Sequence, residues 1–426
     1  MTLAAPRRLP PALPGEIERS RLGNGLEVCY LRNPQAPIVS TALFYRVGAR
    51  DERAGASGLA HFLEHMMFKG SERFAPGEVD RRTQALGGAN NAFTSHDVTA
   101  YWFSFAADRW SEALEIEADR MRGLRLDPRE VEMERSVILE EIAMYRDDPW
   151  DALEMDALAA FFPEHPYGRP VIGVEADLER AGRDELADLH RRYYRPDNAL
   201  LVVAGDIGAD APARVEAALG ALEAGASQRP ELAPARTPAG EIRVERAQGE
   251  MTRLLLVLPA PPADTSDHAE LRLAACVLAE GRASRLQRSL VEEGQLCLEV
   301  SAALAESELA SFFTLTAELL PGVDAREVEP RLRDELALLL AEPIGEQELD
   351  RARQVFVADW VNAQERIHQQ AVTAGIALAQ FDLGQPARLL ARAAEAEPEA
   401  IRAAARRWLD LAASSVVAIC RPESAR

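Results

Sequence analysis

Lysine is almost missing from this chain: of its 48 basic residues only Lys69 is lysine, and the rest are arginine. Together with abundant alanine this reads as a GC-rich, bacterial coding bias rather than as function. Cysteine is scarce too. Cys29, Cys276, Cys297 and Cys420 are scattered without a C-x-x-C pair, so no disulfide framework is implied and buried free thiols are expected. No apolar run is long enough to span a membrane. Met1 to Pro14 is proline-rich and interrupted by Arg7-Arg8, unlike an export signal, so a cytoplasmic location is expected, or a periplasmic one had a signal been removed. Positive charge is in deficit: the net charge is −21, which disfavours nucleic acid and anionic membranes and is compatible with attracting basic peptides. The 426 residues, 47% hydrophobic and 27% charged, are those of a soluble globular protein too long for one ordinary core.

What is present is concentrated in His61-Phe62-Leu63-Glu64-His65. On a helix, positions i and i+4 share a face one turn apart, so both imidazoles can reach one metal ion. Zinc suits such ligands, and a catalytic zinc keeps one position for water. Glu64 projects near the same face, where it could take that water's proton. The order H-x-x-E-H inverts the commoner H-E-x-x-H and is itself a zinc-peptidase signature. Ser57 is the expected N-cap, Phe62, Leu63, Met66 and Met67 supply apolar surface, and Gly70 marks the end.

A third ligand is offered downstream, in Glu134-Arg135-Ser136-Val137-Ile138-Leu139-Glu140-Glu141-Ile142. Pro128 suits a first helical turn, and Val131, Ile138, Ile142 and Tyr145 make an apolar stripe. Glu134 and Glu141 lie two turns apart on one face. One can bind metal while the other braces a ligating histidine, fixing its ring and tautomer.

The segment Gly58-Leu59-Ala60-His61-Phe62-Leu63-Glu64-His65-Met66-Met67-Phe68-Lys69-Gly70 resembles the pitrilysin-type inverted zinc metallopeptidases, and among them the short-subunit branch of the mitochondrial processing peptidase and its bacterial relatives. The likeness continues through Asp147-Asp148-Pro149, His165-Pro166-Tyr167-Gly168-Arg169-Pro170, Tyr194-Arg195-Pro196-Asp197-Asn198 and Leu201 to Asp206. It implies one zinc per chain, held by His61, His65 and Glu141, with Glu64 as the catalytic base and Glu134 as the accessory glutamate. It also implies that Asn91, Ala92 and Phe93 belong to an edge strand pairing with substrate backbone, because such a strand offers unpaired N–H and C=O groups.

Strands and helices intermingle. Strands are expected over 25–45, a hairpin over 91–94 and 98–105, helices over 108–123, 128–146, 150–161 and 183–193, and a strand over 199–204. After a stretch rich in Ala, Pro, Gly, Ser and Thr the same order returns: strands at 241–246, 252–258, 297–303 and 310–318, and helices at 267–280, 282–293, 325–341 and 346–380. The expected architecture is α+β, with two homologous domains that each pack a mixed or antiparallel sheet against helices. The divisions are a flexible tail at 1–16, a metal-binding domain at 17–220, a linker at 221–240 and a second domain at 241–426 without a metal pair.

The second half departs from the family. Catalytic members carry an arginine and, seven residues on, a tyrosine that reach the scissile peptide; here Val291 and Leu298 stand in those places, and Arg288 is three residues out of register. Neither Val291 nor Leu298 can donate a side-chain hydrogen bond. The resemblance therefore implies a zinc endopeptidase acting on peptides or unfolded chains as the metal-bearing subunit of a heterodimer, its homologous partner supplying the missing pair. A homodimer of altered activity is the alternative, and a non-catalytic structural or peptide-binding subunit is the alternative of another class.

Overall fold

The computed structural model describes residues 9–226 and 229–423. Among the described residues, eleven strands form two sheets. In the first, β1 (Glu16–Arg21), β2 (Glu27–Arg32), β3 (Ile38–Tyr45), β4 (Ala89–Thr94), β5 (Thr99–Ala106) and β6 (Ala199–Gly205) lie in the order β1-β2-β6-β3-β5-β4. In the second, β7 (Gly240–Ala247), β8 (Arg253–Ala260), β9 (Cys297–Ala305), β10 (Ser311–Leu319) and β11 (Ser414–Arg421) lie in the order β7-β11-β8-β10-β9. Each sheet has one parallel pair, β2 with β6 and β7 with β11, and is otherwise antiparallel. The two connectivities match strand for strand, with β1 added at one edge of the first. The architecture is α+β, two units each with a mixed sheet packed against helices.

Both sheets are buried on both faces, which explains the unbroken apolar runs of β6 and β8. Along β6, Leu201 and Val203 face the core under the histidine-bearing helix, while Leu200, Val202 and Ala204 face the opposite layer. That opposite layer comes from the other half. Helix Ile367–Gln380 presents Ala371, Ala374 and Leu378 to the first sheet. In exchange, helix Pro149–Phe161 presents Leu153, Ala157 and Phe161 to Leu255, Val257, Val416 and Ala418 of the second. Each half thus completes the other's core.

Several expectations need correction. The helix expected over 346–380 is two, Glu346–Ala363 and Ile367–Gln380, broken at Gln364, whose carbonyl accepts from the buried Gln370 amide at 2.8 Å. The break redirects the chain onto the first sheet, and no glycine or proline announces it. The segment expected as helix 282–293 is helical only over 285–292, with wide turns over Gln287–Glu292. Strand β1 went unanticipated because its six residues are all exposed, so it shows no apolar alternation. Residues 1–8 of the expected tail lie outside the described residues, but part of the remainder packs: Leu13 joins the first half's outer layer, and the Ala12 carbonyl accepts from the Trp360 indole at 3.2 Å. Within the expected linker, 227–228 lie outside the described residues and Arg229 is anchored by ion pairs.

The exchanged helix approaches β3 so closely that a Cβ on Gly375 would lie 2.0 Å from the Phe44 ring. Gly375→Ala is expected to lower unfolding free energy by about 1–3 kcal/mol through overpacking. Phe44→Leu in the same chain should recover part of that loss, with both read from denaturant midpoints.

Candidate metal centre

Helix Leu59–Met66 buries Phe62, Leu63 and Met66 in the first core, which leaves His61, Glu64 and His65 together on its open side. Ser57 is not its cap, contrary to the sequence expectation. Gly58 occupies the N-cap with φ 95°, and its backbone passes so near Ile172 and Gly173 that a Cβ would lie 2.6 Å from the Ile172 carbonyl oxygen. The capping acceptor comes from Glu52 instead, whose carboxylate oxygens accept from the Gly58 N–H at 2.9 Å and the Ala60 N–H at 2.8 Å.

Helix Pro128–Asp147 crosses behind it, started by Asp127, whose side chain accepts from the Arg129 N–H at 2.8 Å. Val131, Glu134, Ile138 and Ile142 form its buried stripe. Tyr145, expected in that stripe, is 40% exposed and turns to the cavity instead. Glu134 Oε1 accepts from His65 Nδ1 at 2.8 Å. An ionised carboxylate can only accept, so this bond places the ring proton on Nδ1 and leaves Nε2 aimed toward Glu141 Oε2, 3.7 Å away. The other Glu134 oxygen pairs with Lys69, the chain's single lysine. Burial opposes charge on Glu134, yet hydrogen bonds from His65 and Lys69 outweigh it and hold its pKa below the ordinary carboxylate range.

The rings of His61 and His65 lie 4.6 Å apart. Burial, and next the neighbouring His65, push His61 down to about 4, so it is neutral with a lone pair available. Its Nδ1 is buried without a hydrogen-bond partner among the described residues. His65 is shifted the other way: burial disfavours its charge, but Glu134, Glu64 and Glu141 together raise its pKa. Glu64 is raised chiefly by burial, against a hydrogen bond at 2.5 Å from the Thr94 hydroxyl.

His61, His65 and Glu141 each offer one ligand atom, all within 4.8 Å of one another. Ligands about 2.1 Å from a tetrahedral zinc lie about 3.4 Å apart, so the set is somewhat wider than a bound ion would hold it. Glu141 keeps 30% of its side chain exposed and has room to close that difference. Two imidazoles and a carboxylate are a donor set that zinc favours, and the residues fit the metal.

A cavity of about 500 Å³ opens beside the group, and all of its lining residues come from the first half. Strand β4 forms one rim as the sheet's edge, bonded among the described strands to β5 alone. Ala92 and Phe93 line the cavity, but Asn91 does not: it is exposed, and its Oδ1 accepts from the Ala92 N–H at 2.9 Å. Asp151 and Glu154 line the far wall and are raised by burial. Sequence reasoning missed Glu52, Thr94 and Lys69. Only Lys69 carried a signal, as the lone lysine in a chain that otherwise uses arginine.

Compared with known proteins, residues 27–175 match the family model described as Insulinase (Peptidase family M16), and residues 180–356 match the one described as Peptidase M16 inactive domain. An uncharacterized zinc protease of Mycobacterium leprae is 32% identical over 334 residues, covering 78% of this chain and 75% of its own. Zinc protease PqqE of Helicobacter pylori is 28% identical, covering 86% and 84%. The crystal structure of a protease from Helicobacter pylori superposes with a TM-score of 0.90 at 25% identity, covering 96% of this chain and all of that one.

Because His65 carries the raised pKa, a proton competes with the ion there, and zinc affinity should fall as pH drops through a value above the ordinary histidine pKa of about 6.5. His61, at about 4, adds no competition in that range. Glu134→Gln should weaken zinc binding at pH 8 by about 10–100-fold and flatten this pH dependence, as read by chelator competition.

Proposed function

The chain belongs to the M16 insulinase family of peptidases, and from that premise we propose that it is the metal-bearing subunit of a zinc endopeptidase acting on peptides or unfolded polypeptides. The observation that carries this reading is the convergence of His61, His65 and Glu141 from two helices beside the half-buried carboxylate of Glu64. His61, His65 and Glu141 would hold the ion. When bound, zinc supplies a Lewis acid for the peptide carbonyl and an acidified water.

The remaining work falls to this chain's own residues. Glu64 takes a proton from the attacking water at its carboxylate and returns it to the leaving amine. The Thr94 hydroxyl orients Glu64, and burial brings its pKa nearer neutrality, where a proton shuttle works best. Glu134 keeps the His65 ring turned so that Nε2 faces inward. The free edge of β4 receives an extended peptide, with Ala92 and Phe93 along the cavity rim. Glu64→Gln is expected to keep zinc stoichiometry and lower kcat by at least about 10²–10⁴-fold, the usual worth of a general base. Parallel loss of metal and activity would contradict this division of roles.

The partner reading rests on what the second half offers. Val291 packs half-buried against the second core and Leu298 is 53% exposed on β9, so neither presents a polar group to a substrate. No residue of 284–298 lines the cavity beside the histidines. A homologous chain carrying the arginine and tyrosine would complete the wall. The purified chain should hydrolyse a quenched peptide weakly, and addition of such a homologue should raise kcat/KM by about 10²-fold or more, as positioning of the scissile group allows. Full activity of the lone chain would overturn the partner reading.

A further inference from the structure

Asp97 sits in the turn between β4 and β5, 2% exposed, and gathers donors from both halves of the molecule. Its Oδ1 accepts from Arg50 Nη1 at 2.8 Å and from the Tyr167 hydroxyl at 2.7 Å, both in the first half. Its Oδ2 accepts from the Glu308 backbone N–H at 3.0 Å and, more weakly, from the Gln380 amide at 3.4 Å. Glu308 lies in the turn joining β9 to β10, and Gln380 ends the exchanged helix. The bridge has further members. Leu309 N–H donates to the Tyr167 hydroxyl at 3.1 Å. Arg229, in the segment joining the halves, donates to the Asp51 carboxylate at 3.0 Å, the Asp97 carbonyl at 2.8 Å and the Glu308 carboxylate at 3.1 Å.

This cluster sets three carboxylates against two guanidiniums, and neutral donors meet the remaining negative charge. Buried groups in such a network are held tightly while all are satisfied, and losing one strands another. The turn it grips leads straight into the candidate active site. Ser95 Oγ accepts from the Asp97 and Val98 N–H groups, the Ser95 and His96 carbonyls accept from Ala49 and Arg50, His96 lines the cavity, and Thr94 bonds Glu64.

We propose that Asp97 is a positioning residue through which the metal-free half holds edge strand β4 in place at the cavity. Its catalytic consequence rests on the peptidase reading above; the positioning itself does not. The test uses two variants of the full chain. Asp97→Asn removes the charge and keeps the shape. In the second, Glu306–Ala310 is replaced by Asn-Gly, which removes the Glu308 and Leu309 donors, and with them the Glu308 carboxylate that pairs with Arg50 and Arg229, while the first half keeps its sequence.

Amide exchange at Asn90–Thr94 should quicken about tenfold in both, while β3 and helix Leu59–Met66 keep their protection, the mark of a local loosening. Zinc content should stay at one per chain, and peptide KM should rise about tenfold with kcat held within about twofold, as when only binding is lost. Unchanged exchange at β4 would overturn the proposal, and so would an equal loss of protection across the whole first sheet. A loosened β4 with KM unmoved would overturn the catalytic consequence drawn from it. Absence of hydrolysis by the parent chain, both alone and with the homologous partner added, would instead sink the peptidase reading, and the exchange result would still decide the role of Asp97.

Discussion

A single hydrogen bond, from His65 Nδ1 to Glu134, governs the chemistry available at this site. Imidazole has two nitrogens, and only one can be free to bind a cation. Tying Nδ1 to a carboxylate settles which one, sets the ring plane, and makes Nε2 more basic. The bond forms only because helices Leu59–Met66 and Pro128–Asp147 pack at one register, with Glu134 buried among Val131, Ile138 and Ile142. A buried carboxylate needs a counter-charge, and Lys69 supplies it a turn beyond the second histidine. Glu52, capping the histidine helix from a separate loop, fixes the other end of the same arrangement.

The metal-free half is no appendage to this site. Each sheet receives one covering helix from the other half, so pulling the halves apart would bare an apolar face on both. Gly375 lets the exchanged helix settle against Phe44, and Gln380 at its end reaches Asp97. The layer that stabilises the first sheet from behind is thus continuous with the polar cluster behind the cavity rim. This supplies a physical reason for a domain without metal ligands to accompany one that has them.

How much was legible depended on the range of the interaction. His61, Glu64 and His65 could be read directly, because a helix converts spacing of three and four into proximity. Glu134 and Glu141 were recognisable as a pair but not separable by local pattern: both face one side of one helix, and which touches His65 Nδ1 depends on how that helix crosses its neighbour. The buried strands were legible from their apolar runs, the hairpin of β4 and β5 from its alternation, and the exposed β1 not at all. Ser57 was a sound local choice of cap that lost to a carboxylate five residues upstream, brought back over the helix end by the intervening loop, and the break at Gln364 is held by Gln370 rather than by any helix-breaking residue.

By itself, then, the chain determined the paired histidines with their glutamate, the acidic helix that follows, the two-fold recurrence of strands and helices, and the apolar Val291 and Leu298 where the resemblance leads one to expect arginine and tyrosine. These are properties of short spacing and residue type, which local backbone geometry translates into structure. Tertiary structure alone decided the division of labour between Glu134 and Glu141, the capping by Glu52, the reciprocal exchange of helices and the gathering of donors on Asp97. Those depend on groups up to 283 residues apart meeting at hydrogen-bond distance, and no local periodicity encodes such a meeting.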